Sequence, residues 1–96
     1  MKAINTSHPG RDATCETTPW HIWHDAVFAI AEVSVADGNQ YATRERIQRA
    51  YQAGEPAWMT ANMIQFVVTV GKREDRADGE VRAMRAMIRQ SLAGGK

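Results

Sequence analysis

The chain has 96 residues, with 12 Lys and Arg, 11 Asp and Glu, a single cysteine and a hydrophobic content of 44%. This composition predicts one globular domain with a small core, and it excludes an internal disulfide and an all-cysteine metal site. No N-terminal apolar segment resembles a secretion signal, and no apolar run approaches the roughly 18 residues of a membrane span, so we expect a cytoplasmic protein.

Residues 1–17 are polar and predict a flexible N-terminal arm, whereas residues 18–96 predict a single helical domain. The pair Thr18-Pro19 is typical of a helix start, because Thr accepts hydrogen bonds from first-turn amides and Pro lacks an amide that would have no partner. Apolar residues then recur at spacings of three and four, which predicts a largely buried helix that ends at Asp37-Gly38.

A second helix is predicted from Ala42 or Thr43 to Ala53, followed by a third from Pro56 to Gly71. The third contains residues 62–70, which are rich in β-branched side chains that also suit a strand. Its length favours a helix, but the strand stays open as the alternative.

Residues 72–78 are charged and predict either a solvated loop or an exposed continuation of the third helix. The last helix is predicted to start after Asp78 and to end at Gly94-Gly95. Its apolar side chains at spacings of three and four predict a buried edge, which consists of Val81, Met84, Ile88 and Leu92.

A tripeptide repeats between these segments, as Ala36-Asp37-Gly38 and Ala77-Asp78-Gly79. Asp and Gly favour turns and helix ends, so the repeat predicts an all-α fold of four helices arranged as two helix-turn-helix hairpins. Neither copy has the alternating oxygen ligands and closing Glu of a calcium-binding loop, so we interpret both as structural turns.

The candidate chemistry is sparse. His21 and His24 lie three residues apart, a spacing that can hold a metal, but two ligands do not make a site, and surface histidines are the simpler interpretation. Cys15 lies in the predicted arm, where a nucleophile would lack fixed geometry. No phosphate-binding loop or nucleophile elbow is present, so we expect neither an enzyme nor a cofactor.

The features that favour a binding function are large apolar side chains and a basic C-terminal quarter. Residues 1–71 carry five Lys and Arg against seven Asp and Glu, whereas residues 72–96 carry seven against four. Aromatic residues, Met and Arg are favoured at protein interfaces. The candidate partner-binding residues are Trp20, Trp23, Trp58, Met59, Met63, Met84, Met87, Arg82, Arg85 and Arg89.

Two alternatives remain open for these candidates. The methionines form either a protein-binding groove between the third and fourth predicted helices or part of the core. Arg82, Arg85 and Arg89 share one helical face, which either orients a protein partner or lies along nucleic-acid phosphates. We expect a protein partner first and nucleic acid second.

The repeated Ala-Asp-Gly between helices resembles the tellurite-resistance TerB-like domains, although their further acidic residues are missing here. In its size, helical layout, polar arm and Ala- and Arg-rich composition, the chain is also similar to the QslA-like antiactivators of LuxR-type quorum-sensing regulators. That resemblance implies a homodimer that binds a LuxR-type transcription factor and prevents the factor from dimerising on DNA. It carries over no individual contact residue.

Overall fold

The computed structural model describes residues 3–94 and contains four α-helices. They are α1 (Trp20–Ala31), α2 (Val35–Tyr41), α3 (Arg44–Gln52) and α4 (Ala57–Gly94). No strand occurs in this described range, so the all-α prediction is confirmed, and residues 62–70 are helical. The molecule is elongated, with extents of 70 × 25 × 16 Å, because α4 alone has 38 residues and is about 57 Å long.

The first predicted helix is two helices in the structure. Helix α1 ends at Ala31 because Glu32 takes the left-handed conformation, with φ 55° and ψ 41°. The buried Gln65 side chain donates to the Ala31 carbonyl at 3.1 Å, which satisfies one of the free carbonyls at this helix end. Ser34 then starts α2 by accepting a hydrogen bond from the Asp37 amide at 3.1 Å.

The first Ala-Asp-Gly is therefore not the predicted turn, since it lies inside α2. Its glycine meets a packing requirement: a Cβ on Gly38 would lie 2.3 Å from Cε1 of Phe28. The absence of a side chain lets α2 approach α1 closely. Helix α3 agrees with its prediction, with Thr43 as the N-cap and Gly54 in a left-handed conformation just beyond the helix end.

The third and fourth predicted helices are one continuous helix of 38 residues. Gly71 and Gly79 both lie inside it, so the second predicted turn, and with it the arrangement as two hairpins, is wrong. Of the two alternatives for residues 72–78, the exposed continuation of the helix is confirmed. Gly71 is needed for packing, because a Cβ there would lie 2.1 Å from Cδ1 of Tyr41.

Two polar contacts tie α4 to α2 just after Gly71. Lys72 Nζ lies 2.8 Å from the Asp37 carboxylate, and the Tyr41 hydroxyl donates to Asp75. The hydrogen bond to Asp75 raises the pKa of Tyr41, with smaller contributions from partial desolvation and from the charges of Asp75 and Asp37. The phenol therefore stays protonated and remains a donor at neutral pH.

The core lies between α1, α3 and the first half of α4. Trp23 is its largest fully buried side chain, and its indole Nε1–H donates to the Glu55 carbonyl at 3.2 Å. Helix α4 contributes mostly small or branched side chains, which allow close approach to α1. The fully buried members include Trp23, Val27, Ile30, Ile47, Ala57, Ala61 and Ile64.

Residues 3–17 pack against the helices, in contrast to the prediction of a flexible arm. The carbonyls of Arg11 and Ala13 each accept a hydrogen bond at 2.9 Å from first-turn amides of α4, those of Trp58 and Ala57 respectively. The Asn5 amide donates to the carbonyl of Ile30 at 2.8 Å. Backbone groups of the arm thus serve as caps for α1 and α4, a role that side-chain polarity does not reveal.

Replacement of glycine by alanine is expected to lower the stability of the fold at two positions and to raise it at a third. Gly38→Ala and Gly71→Ala each force a new Cβ against an aromatic ring, so each should destabilise the fold by about 1–3 kcal/mol. Gly79 has open space around its Cα, and Gly79→Ala should stabilise α4 by about 0.5–1 kcal/mol. Urea unfolding measures the first two, and helix content by circular dichroism measures the third. Equal effects at all three positions would contradict the packing described here.

Candidate protein-binding surface

The two halves of α4 have different surroundings. In the first half, Ala57, Ala61, Ile64 and Val68 are buried against the rest of the fold. Every side chain from Lys72 to Leu92 is exposed. Beyond Asp75 no side-chain hydrogen bond or ion pair joins the described part of α4 to another element. We call residues 76–94 the projecting segment.

A single apolar row runs along almost the entire length of α4. Its members recur at spacings of three and four, interrupted once where Arg73 takes the position, so they share one face of a straight helix. The buried residues of α4 are offset from this row by about half a turn and lie on the opposite face. We call this row the α4 stripe; it consists of Met59, Met63, Phe66, Val70, Ala77, Val81, Met84, Ile88 and Leu92.

The α4 stripe is uncovered over most of its length. Phe66 is 53% exposed, and in the projecting segment Val81 is 47%, Ile88 is 55% and Leu92 is 78% exposed. The predicted buried edge of the last helix is therefore wrong. The spacing of Val81, Met84, Ile88 and Leu92 is that of a packed helix face, but no element of the described chain covers these side chains. Contiguous exposed apolar surface of this kind is a candidate interaction site.

Charges flank the α4 stripe unevenly. Residues 74–80 hold four acidic side chains and one basic one, whereas residues 82–89 hold three arginines and no acid. We call Arg82, Arg85 and Arg89 the arginine row. All three are exposed, and within residues 3–94 none has a carboxylate in ion-pair range. The row is free to contact an acidic partner.

The three tryptophans that were predicted to contact a partner differ in burial. Trp23 is fully buried, and Trp20 packs beside it with ring centroids 5.8 Å apart. Tyr51 contacts both rings, with centroids 5.4 Å from Trp20 and 5.1 Å from Trp23. Trp23 is therefore a core residue, whereas Trp20 is half-buried and its contact with a partner stays a prediction. Trp58 alone of the three is exposed, at 38%.

The predicted methionines do not form a seam between two helices, because all four belong to α4. Met59, Met63 and Met84 are members of the α4 stripe, and Met87 flanks it with 70% exposure. The stripe joins Met59 and Met84 on one face although they lie in different halves of the helix. Phe66 is exposed and belongs to this surface, but it was not among the predicted partner-binding residues. The sequence pattern indicated two separate helices, not one helix with two apolar faces.

The structure gives no support to a metal site at the histidines. His24 is packed among aromatic rings, with its centroid 5.2 Å from Trp20 and 4.8 Å from Phe28. Its Nδ1 lies 3.8 Å from the Asp25 carboxylate, and His21 is exposed. Among the described residues no group of three potential ligands lies close enough to hold a metal ion.

Within the described part of the chain, no helix has the length and apolarity needed to cross a membrane, α4 included.

The geometry singles out one unusual surface, the α4 stripe with the arginine row beside it. Comparisons with protein-family models, with curated proteins and with solved structures find no match to this chain.

Proposed function

We propose that this chain is a small non-enzymatic regulatory protein that binds and inhibits another protein through the projecting segment of α4. The observation that carries the proposal is the exposed row of Val81, Met84, Ile88 and Leu92 on a helix that extends beyond the core. An amphipathic helix that places apolar side chains at this spacing into a groove is a recurrent mode of protein recognition.

The two parts of the surface have different roles in this proposal. Met84, Ile88 and Leu92 provide the apolar area that is removed from water on binding. Methionine adapts to irregular pockets, which suits an anchor position. The arginine row orients the complex and favours an acidic partner surface, an effect that weakens as salt screens the charges.

The resemblance to antiactivators suggests the class of target. We propose a LuxR-type transcription factor in the bacterial cytoplasm, which the chain would inhibit by occupying the surface that the factor uses for its own dimerisation. The exposed helix supports this mechanism, since a projecting apolar helix can compete with a subunit interface built from helices.

The test is capture of the target by the immobilised chain from a bacterial lysate, followed by mass spectrometry and reconstitution with the purified target. The variant Met84→Glu/Ile88→Glu places two charges on the stripe and should weaken binding at least ~100-fold. The matched control Ala83→Glu/Ala86→Glu adds the same charges to exposed positions off the stripe and should retain binding. Equal binding by both variants would overturn the proposal.

A nucleic-acid-binding regulator is the second candidate, supported by the exposed and unpaired arginine row. It predicts DNA or RNA affinity that falls steeply with salt and is lost in Arg82→Glu/Arg85→Glu, while Met84→Glu/Ile88→Glu retains it. Protein capture that depends on the stripe, without nucleic-acid affinity at low salt, excludes this candidate.

A further inference from the structure

We infer that the cavity between the end of α1 and the middle of α4 binds a small organic anion with a short aliphatic chain. The carboxylate or phosphate group of this ligand contacts basic side chains of α4, and its aliphatic chain lies against the buried lining of the cavity. We call this site the α1–α4 cavity. It is separate from the α4 stripe, so the inference goes beyond the proposed function and does not depend on it.

The α1–α4 cavity has a volume of about 360 Å³ and two walls. One wall consists of residues 31–33 at the end of α1, and the other consists of side chains from residues 65–76 of α4. Part of the lining belongs to the core, since Ala31 is fully buried and Val68 is almost fully buried. Small-molecule sites are typically cavities of roughly 300–1,000 Å³ with a mainly apolar lining and a few polar groups. The cavity meets this description.

Hydrogen bonds and an ion pair of the chain itself hold the two walls in place. The buried Gln65 side chain donates to the Ala31 carbonyl at 3.1 Å and so joins the α4 wall to the α1 wall. Lys72 Nζ lies 2.8 Å from the carboxylate of Asp37 in α2, which fixes the basic end of the α4 wall. The site is therefore formed before any ligand binds, which lowers the entropic cost of binding.

Three basic side chains, Lys72, Arg73 and Arg76, line the α4 wall. Arg76 lies about one turn beyond the other two, so all three share one side of the helix. Like charges at this spacing repel one another, and a bound anion relieves the repulsion. The guanidinium group also matches carboxylate and phosphate in geometry. Glu32 is the only acid of the described lining and lies on the α1 wall, so the charges favour an anion on the α4 wall.

The two arginines of this wall have no structural contact that explains their position. Within residues 3–94 neither guanidinium makes a hydrogen bond or an ion pair, although Glu80 follows Arg76 by about one turn. Neither arginine caps α1, because two of the last carbonyls of that helix already accept hydrogen bonds from the Asn5 amide and the Gln65 side chain. Their donors are available to a ligand in the cavity.

Titration with hexanoate, followed by NMR of the backbone amides, tests the site. Hexanoate should cause saturable shifts at residues 31–33 and 65–76, with a Kd on the order of 1 mM for so small a ligand. The neutral 1-hexanol and the short acetate should each bind at least ~10-fold more weakly, because one lacks the charge and the other lacks the chain. Hexyl phosphate in place of hexanoate shows which anionic group binds more tightly. Absence of saturable shifts with both hexyl anions, or equal binding of 1-hexanol, would overturn the inference.

Two pairs of substitutions distinguish the cavity from general attraction of anions to a basic helix. Arg73→Gln/Arg76→Gln should weaken hexanoate binding at least ~10-fold. The matched control Arg82→Gln/Arg85→Gln removes two exposed arginines of α4 outside the cavity and should retain binding. Equal weakening by both pairs indicates an unspecific charge effect and contradicts the proposed site.

Thr69→Phe tests the cavity itself, because Thr69 lines it and the larger ring fills the space without changing a charge. Hexanoate binding should be lost although both arginines are present, and binding that persists contradicts the proposed site. Thermal unfolding shows whether each variant is folded. If Thr69→Phe is unfolded, the two arginine pairs decide the question, since all four arginines are exposed.

These experiments separate the inference from the proposed function, because hexanoate binding requires no protein partner. Met84→Glu/Ile88→Glu should bind hexanoate like the wild-type chain while it loses the protein target. A chain that captures its target through the α4 stripe but binds neither hexyl anion removes the inference and leaves the proposed function intact. Site-specific binding of hexanoate by a chain that captures no target removes the proposed function alone.

Discussion

Replacement of Trp23 by alanine is expected to destabilise the fold by about 3–5 kcal/mol, because it removes the largest fully buried side chain and leaves a cavity. The substitution also removes the hydrogen bond to the Glu55 carbonyl and the ring contacts with Trp20 and Tyr51. For a small domain this is a large part of the total stability. Chemical unfolding followed by far-UV circular dichroism measures the effect.

Trp58→Ala is the matched control, since Trp58 is 38% exposed and makes no ring contact with another described residue. Its expected cost is about 1 kcal/mol or less. If Trp23→Ala unfolded at the same denaturant concentration as wild type, Trp23 would not have the central packing role described here. Loss of target binding in Trp23→Ala should accompany loss of folding, whereas Met84→Glu/Ile88→Glu should lose binding while the core stays folded.

The sequence predicts the helical class well because apolar spacings of three and four are clear in α1, in α3 and in most of α4. It fails at Asp37-Gly38 and Asp78-Gly79, where Asp and Gly suggest turns but the chain is helical. Gly38 and Gly71 are required instead by the rings of Phe28 and Tyr41, each of which belongs to a different helix from the glycine it contacts. Such contacts depend on the tertiary arrangement and leave no local pattern.

The candidate surface was only partly predictable for a related reason. The apolar row through Met59 and Phe66 has the same periodicity as a buried face, and periodicity does not specify which side of a helix packs inward. The inward side is defined by the smaller residues Ala57 and Ala61, which fit closely against α1. Met59 and Phe66 are therefore left on the outside of α4, in the same row as the exposed Met84 and Ile88.

Deletion of residues 1–13 is expected to destabilise the protein by about 2–5 kcal/mol, although this stretch has the composition of a disordered arm. The deletion removes the carbonyls of Arg11 and Ala13 that cap α4, and the Asn5 amide that caps α1. It also removes Ile4, which packs against the core. Chemical unfolding of the truncated chain measures the loss.

Thr6→Ala/Glu16→Ala is the control for this effect, because it changes two exposed side chains of the arm, keeps Ile4 and all three capping hydrogen bonds, and should leave stability nearly unchanged. If the deletion also unfolded like wild type, the arm would not be an integral part of the fold.

The capping hydrogen bonds of the arm also matter for the candidate surface. The arm fixes the first turn of α4. Because α4 is one continuous rigid helix, the orientation of its first turn determines where Met84, Ile88 and Leu92 lie. Presentation of the α4 stripe therefore depends on the N-terminal residues, even though none of them belongs to it.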